Sequence, residues 1–170
     1  QVVARAPVVV GARVALEAVA AGVHGKCHRA ARDQRLVGGQ ALLAPTRVYV
    51  RALAHVLRGE HEVLGLAHIT GGGFTENVVR MLPAHLGAAI DVSRWERPPL
   101  FAWLQREGHI AAQEMARTFN NGIGMVLVVP AAKADAVLAQ LRDAGEDAVA
   151  MGELTSTPGV SYSGLDGWRV

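Results

Sequence analysis

The sequence predicts one compact domain that contains both helices and strands, of the α/β or α+β class. Apolar residues make up 51% of the 170 residues and charged residues only 19%, which excludes a disordered chain. Segments with strand and helix patterns alternate along the chain, and a β-α-β unit is expected near its C-terminal end. No linker divides the chain, so residues 1–170 are expected to form a single domain.

The first third of the chain predicts one strand and two helices. Residues 8–20 are rich in valine and alanine, which predicts a strand and a short turn, and a short helix is expected near Ala30. The segment PTRVYVRALAHVLRG, residues 45–59, predicts a helix with Gly59 at its C-terminal cap. Its apolar positions recur at three- and four-residue spacing: Tyr49, Leu53, Val56 and Leu57.

The middle of the chain predicts a buried strand that leads into three glycines and a helix. The strand is HEVLGLAHIT, residues 61–70. Thr75 is expected to cap the helix ENVVRML, residues 76–82, which Pro83 ends. The short apolar run LGAAIDV, residues 86–92, predicts another strand.

The last third predicts three helices, two strands and a hairpin. Helices are expected over residues 98–108 and over 111–122, where the second unwinds at its asparagines and glycine. The clearest strand, IGMVLVVP, precedes the clearest amphipathic helix, AAKADAVLAQLRDAG, which has Val137, Leu138 and Leu141 on one face. A strand over residues 146–154 follows, and turn signals in residues 155–170 predict a terminal hairpin.

Charge and composition argue against several kinds of partner. The formal net charge is only +2 and the arginines are scattered, so no nucleic-acid partner is expected. No apolar run approaches the roughly 20 residues that cross a membrane, so no membrane partner is expected. The single cysteine, Cys27, suits a reducing cytoplasm. Cys27 with His24 and His28 superficially resembles a metal-ligand cluster, but no fourth ligand is evident and no metal site is predicted.

The glycine triplet is the first candidate site. A strand that leads through Gly71, Gly72 and Gly73 into a helix can present unpaired amides and a helix dipole to a phosphate. Neither a Walker nor a dinucleotide-binding pattern surrounds it, and Glu76 in the first helical turn would already neutralise the dipole. The residues alone leave an anion loop and a structural turn equally open. Likewise, His68 could contact a phosphate or be an ordinary strand histidine.

A second candidate site lies in the segment EMARTFNNGIGM, residues 114–125. Here a cation and several neutral hydrogen-bonding groups lie where a helix meets a strand, an arrangement suited to a phosphate or a ribose. These residues are Arg117, Thr118, Asn120 and Asn121. The alternative is a helix C-terminus with an exposed arginine.

Three stretches in this order resemble a known family. LLAPTRVYV, AHITGGGFTENVVRMLP and EMARTFNNGIGMVLVVP strongly resemble the C-terminal domain of aminoimidazole ribonucleotide synthetase, or phosphoribosylformylglycinamidine cyclo-ligase, over residues 40–153. The resemblance implies an α+β domain, a mixed sheet flanked by helices that is partly ferredoxin-like. It also implies a part in the closure of the imidazole ring of formylglycinamidine ribonucleotide, with ATP and Mg²⁺ as cofactors.

The family resemblance also implies the site residues and a partner. The glycine loop is expected to contact a small phosphorylated ligand, through His68, Thr70, Gly71, Gly72, Gly73, Asn77, Arg117, Thr118 and Asn120. The partner would be the N-terminal half of the same enzyme or a second protomer, because that half holds the acidic metal ligands in the family. No such half is present in this sequence, so we expect this chain alone to be inactive.

The beginning of the chain departs from the family. The family opens this domain with Ser-Ser-Gly-Leu-His-Ser-Asn-Gly-Tyr-Ser-Leu-x-Arg, of which residues 20–32 keep only Gly22, His24 and Arg32. Residues 1–38 are divergent, and the chain begins without methionine, as a fragment would. Two other functions therefore stay open. One is a stand-alone, non-catalytic binding or regulatory protein derived from this domain, and the other is a paralogous ATP-using enzyme of the thiamine-monophosphate or selenophosphate branch.

Overall fold

The structure, a computed structural model, describes residues 7–13, 43, 45–59 and 62–168. Within these ranges the chain forms six strands and five α-helices. The strands are β1 (Val8–Arg13), β2 (Gly65–His68), β3 (Gly87–Asp91), β4 (Ile123–Val129), β5 (Ala148–Thr155) and β6 (Gly159–Ser163). The helices are α1 (Val50–Arg58), α2 (Gly73–Met81), α3 (Pro99–Glu107), α4 (Ala112–Thr118) and α5 (Ala134–Asp143).

The strands form one mixed sheet in the order β2-β4-β1-β5-β3-β6. The first strand in sequence, β1, lies between β4 and β5 and is antiparallel to both. The two neighbours of β1, β4 and β5, are therefore parallel to each other. Helix α5 connects them as the predicted β-α-β unit. A split unit of this kind is the ferredoxin-like part of the fold. The expected α+β class with a mixed sheet is confirmed.

Both faces of the sheet are covered. All seven residues of β4 are buried, and their side chains alternate between two hydrophobic clusters. Val126 and Val128 belong to the cluster that includes residues of α2 and α4, whereas Leu127 and Val129 belong to the cluster of α1 and α5. The two candidate sites are at the ends of α2 and α4, and so lie on the same side of the sheet.

Most predicted elements are present, with shorter bounds. The helix predicted from residue 45 begins at Val50, and residues 45–49 are irregular. Its last turn exposes 53% of Leu57, which the spacing had grouped with the buried residues. Gly59 is the C-cap, as predicted. The helices around residues 98–108 and 111–122, and the buried face of α5, are also confirmed.

Two expectations are wrong. The tail does not form a hairpin with β5, because β3 lies between β5 and β6 and pairs with β6 in parallel. Thr75 does not cap α2, which begins two residues earlier with Gly72 as its N-cap and no side-chain cap bond. The hydroxyl of Thr75 is instead 2.7 Å from the Tyr162 hydroxyl on β6.

Several sequence-based expectations fall on residues that the structure does not describe. These are the helix near Ala30, the residues kept from the family's opening segment, and the His24, Cys27 and His28 group. Within the described ranges, no helix is both long and apolar enough to span a bilayer.

Candidate functional site

The glycine loop, residues 70–73, connects the end of β2 to the start of α2. Gly72 and Gly73 have φ angles of +90° and +51°, which non-glycine residues rarely adopt. The Gly73 amide donates to the Thr70 carbonyl at 3.0 Å. The amides of Gly71 and Gly72 have no hydrogen-bond partner within the described part of the chain. Within the described residues, the loop therefore offers two unpaired donors beside the positive end of a helix.

The Asn77 side chain holds the loop in shape. Its Nδ2 donates to the Gly73 carbonyl at 2.8 Å and to the Gly71 carbonyl at 3.2 Å, with the Thr70 carbonyl at 3.5 Å. Asn77 is 7% exposed. A buried amide that faces these carbonyls fixes the loop backbone and does not face a ligand.

Gly73 brings the two candidate sites together. A Cβ atom on Gly73 would collide with the carbonyl oxygen of Ala116 and would lie 2.8 Å from the carbonyl of Arg117. The backbone at the start of α2 thus packs directly on the backbone at the end of α4. The glycine loop and the arginine segment, residues 117–122, form one surface.

The polar side chains of the arginine segment are held by neighbours on the same helix or turn. Arg117 is 63% exposed and lies 3.7 Å from the Glu114 carboxylate, and the Thr118 hydroxyl donates to the same carboxylate at 3.1 Å. The Asn120 Oδ1 accepts from the Gly122 amide at 3.1 Å. Because exposed contacts of this kind contribute little stability, Arg117 and Thr118 can exchange Glu114 for a ligand, whereas Asn120 shapes the turn.

Asn121 supports this turn from inside. It is fully buried with a φ angle of +47°, and its Nδ2 donates to the carbonyls of Met115 and Phe119 at 2.7 and 2.9 Å. Its own carbonyl accepts from Trp95 Nε1 at 3.0 Å. The sequence pattern had grouped Asn121 with the ligand-facing residues, but the structure gives it a buried, structural position.

An aromatic cluster lies beneath the loop. The Phe74 ring is 5.8 Å from Trp95 and 6.5 Å from Tyr162, and the Trp95 ring is 6.0 Å from Trp168. Burial raises the pKa of Tyr162, and its hydrogen bond with Thr75 opposes this rise. These contacts fix α2 on β6 and the residues after it.

His68 and Arg47 lie apart from the surface formed by Gly73 and Arg117. His68 pairs in register with Met125, so its side chain lies on the α1 side of the sheet, 6.2 Å from the Tyr49 ring. Arg47 forms a 2.9 Å ion pair with the buried Glu146 and donates to the Gly145 carbonyl. The structure thus brings the glycine loop beside Arg117 and places the His68 side chain on the other face of the sheet.

Tyr49 belongs to the Arg47 and Glu146 cluster. Burial, together with the Glu146 carboxylate, raises the pKa of Tyr49 to about 12, and Arg47 opposes the rise. The Tyr49 hydroxyl is buried without a hydrogen-bond partner among the described residues. This cluster packs the segment before α1 against the turn between α5 and β5.

The sequence reasoning missed one residue beside the loop, Arg80. Its guanidinium donates to Asn77 Oδ1 at 3.3 Å and pairs with Glu76 Oε2 at 3.2 Å. The available signal was the position of Arg80 on the predicted helix, three residues after Asn77 and four after Glu76. Within the described ranges, no three metal-ligating side chains come together.

Sequence comparison shows similarity to enzymes of purine biosynthesis. The family described as AIR synthase related protein, C-terminal domain, matches residues 8–163. The phosphoribosylformylglycinamidine cyclo-ligase of Magnetococcus marinus is 52% identical over 118 residues, which cover 69% of this chain and 33% of that protein. The bifunctional purine biosynthetic protein ADE1 of Schizosaccharomyces pombe is 49% identical over 122 residues, 72% of this chain and 15% of that protein. The chain thus spans a third or less of these two relatives.

Structural comparison supports the fold. Escherichia coli HypE, a hydrogenase maturation protein, superimposes with a TM-score of 0.61 at 21% identity. The match covers 98% of this chain and 49% of HypE. At this identity the likeness shows the shared fold alone.

Proposed function

Because this chain belongs to the AIR synthase related protein C-terminal domain family, we propose that it forms the phosphate-binding wall of an AIR synthetase. The reaction would be the ATP-dependent ring closure of formylglycinamidine ribonucleotide in purine biosynthesis. The observation that carries the proposal is the contact of Gly73 with the backbone of Ala116 and Arg117. This contact combines two free loop amides with one exposed cation on a single surface.

The residues of this wall would bind the ligand and hold it in position. The amides of Gly71 and Gly72 would donate to phosphate oxygens, and the Arg117 guanidinium would pair with the phosphate charge. Thr70 and Thr118 are both exposed, and their hydroxyls would add neutral donors. Asn77 and Asn120 would keep the two backbones in place through the hydrogen bonds they make here. His68, from the other face of β2, would reach the ligand only at the strand end.

The chemical step would take place on residues outside this chain. ATP and Mg²⁺ are the cofactors that family membership suggests, and when bound they would activate the amide oxygen that ring closure removes. The described residues provide no cluster of metal-ligating side chains, so we assign this chain only binding and positioning. The N-terminal half of the same enzyme, or a second protomer, would complete the site.

Reconstitution tests this proposal. The chain would be combined with the N-terminal half of the same enzyme, and ATP-dependent ring closure would be followed at varied formylglycinamidine ribonucleotide. We expect Arg117→Ala to raise the KM about tenfold or more, because a phosphate loses its paired cation. Arg106→Ala is the control, since Arg106 is a similarly exposed arginine that pairs with Glu107 on α3. Absence of turnover in the reconstituted wild-type pair would contradict the proposal.

The stand-alone binding protein is the alternative function. Its basis is the apolar fraction of 51% together with the divergence of residues 1–38, most of which lie outside the described ranges. No contact in the structure favours it over the enzyme domain. It predicts that the isolated chain binds a small phosphorylated ligand and that the reconstituted pair shows no ring closure.

A further inference from the structure

The Glu76 carboxylate lies directly over the glycine loop. Its Oε2 and Cδ are 2.5 and 2.8 Å from the position that a Cβ atom of Gly72 would occupy. Gly72 therefore lacks a side chain for two reasons: its φ angle of +90° and the carboxylate that fills the space. The structure thus contains a negative charge at the place where the loop would receive an anion.

Arg80 connects this carboxylate to the loop. Its guanidinium pairs with Glu76 Oε2 at 3.2 Å and donates to Asn77 Oδ1 at 3.3 Å. The other end of the Asn77 amide donates to the carbonyls of the loop. The carboxylate, the guanidinium and the loop backbone form one continuous network.

The carboxylate is close to the loop but is not bonded to it. No side chain caps the N-terminus of α2, and within the described residues the Gly71 and Gly72 amides have no acceptor. The Glu76 side chain is 51% exposed, so it can rotate into solvent at little cost. A carboxylate that is near unused donors, paired elsewhere and free to move is placed to compete with an incoming anion.

We infer that Glu76 is an internal competitor of phosphate at the glycine loop, which the ligand must displace to bind. This inference rests on the proposed function, because it assumes that the loop is the phosphate site. A ligand with two negative charges gains more from the amides and the helix dipole than one with a single charge. Displacement of Glu76 would weaken the binding of every anion by the same factor, so an anion that gains little from the loop, such as a monocarboxylate, would not occupy it.

Calorimetric titration of the 170-residue chain with inorganic phosphate tests the inference. We expect Glu76→Gln to lower the Kd for phosphate by about tenfold, because the variant keeps the shape but removes the charge. Glu107→Gln is the matched control: it makes the same change in net charge at an exposed, arginine-paired glutamate on α3. The control is expected to change the Kd by less than about twofold.

The outcomes separate this inference from the proposed function. Equal or weaker binding by Glu76→Gln, with clear binding by the wild type, would overturn the inference and leave the phosphate loop in place. Binding by Glu76→Gln alone would support it, and binding by neither would overturn it, whereas turnover of the reconstituted pair decides the proposed function. A crystal structure of the wild-type chain soaked with phosphate gives a second measurement. The Glu76 carboxylate is expected to have left Gly72, and a carboxylate still over Gly72 beside a bound phosphate would exclude displacement.

Discussion

Gly73 and Ala116 pack backbone to backbone, with no room for a Cβ atom between the Gly73 Cα and the Ala116 carbonyl oxygen. This contact joins the start of α2 to the end of α4, which are separated in the chain by β3 and α3. It holds the glycine loop beside the arginine segment. The geometry of the candidate site therefore depends on one glycine.

Gly73→Ala is expected to lower the free energy of unfolding by about 2 kcal/mol or more, because it adds a backbone clash to a positive φ angle. Gly71→Ala is the matched control, since a Cβ at Gly71 meets nothing within 4 Å and its φ angle is not positive. Urea unfolding followed by circular dichroism measures both. Equal loss of stability in the two variants would show that the Ala116 contact is unimportant.

Asn77→Asp is expected to destabilise the fold by about 2–3 kcal/mol, because a carboxylate would replace the amide donor that faces the loop carbonyls. Gln113→Glu makes the same amide-to-carboxylate change at an exposed position of α4 and should change stability by less than about 0.5 kcal/mol. Denaturant unfolding gives the two values. Hydrogen exchange should also be faster in the Asn77 variant at Gly73, whose amide donates to the Thr70 carbonyl.

The hydroxyls of Thr75 and Tyr162 are expected to be coupled by about 1 kcal/mol, because each is the partner of the other at 2.7 Å across α2 and β6. A double-mutant cycle with Thr75→Val and Tyr162→Phe measures this energy. If the two single changes add without coupling, the hydrogen bond does not contribute to the folded state.

Stability is expected to fall as the pH rises from 10 toward 12. The folded pKa of Tyr49 is raised from 10.0 to about 12, so the unfolded chain loses its tyrosine proton first and ionisation favours unfolding. The contribution of Tyr49 to the free energy of unfolding is fully present below pH 10 and disappears as the pH rises past the folded pKa. Tyr49→Phe should therefore flatten the pH dependence of the free energy of unfolding over this range.

Absorbance titration of the tyrosinates checks the origin of that dependence. The chain contains two tyrosines, so Tyr49→Phe leaves only the signal of Tyr162. The difference between the wild-type and variant titrations should have a midpoint near pH 12. A midpoint near pH 10 would show that Tyr49 is not buried as described.

The sequence predicted the elements better than it predicted their partners. Residues 86–92 and 123–130 were identified as strands because their patterns are local, and proline and glycine marked the ends of α3. The pairing of β6 with β3 was missed because the free edge of a sheet depends on every other strand. The position of Thr75 just before a predicted helix indicated a cap. Its actual partner, Tyr162, lies 87 residues away and cannot be found from local sequence.

In the candidate site, too, the residues were predicted better than the contacts between them. The resemblance to a known family identified the glycine loop and the arginine segment, and residue types indicated that both could bind an anion. The contact between Gly73 and Ala116 is a close backbone approach, which the spacing of the two segments in the sequence does not predict. Asn121 was grouped with ligand-facing residues because its burial depends on Trp95 and on the carbonyls of Met115 and Phe119.

The central position of β1 has a consequence for biosynthesis. Val8 pairs with Val129 on one side and with Glu153 on the other, so β1 pairs with segments about 120 and 145 residues further along the chain. During translation this apolar strand therefore stays unpaired while more than 100 further residues leave the ribosome. Long-range pairing of this kind slows folding and prolongs the period in which a nascent chain can aggregate. Chaperone dependence during synthesis, rather than low final stability, is the expected weakness of this domain.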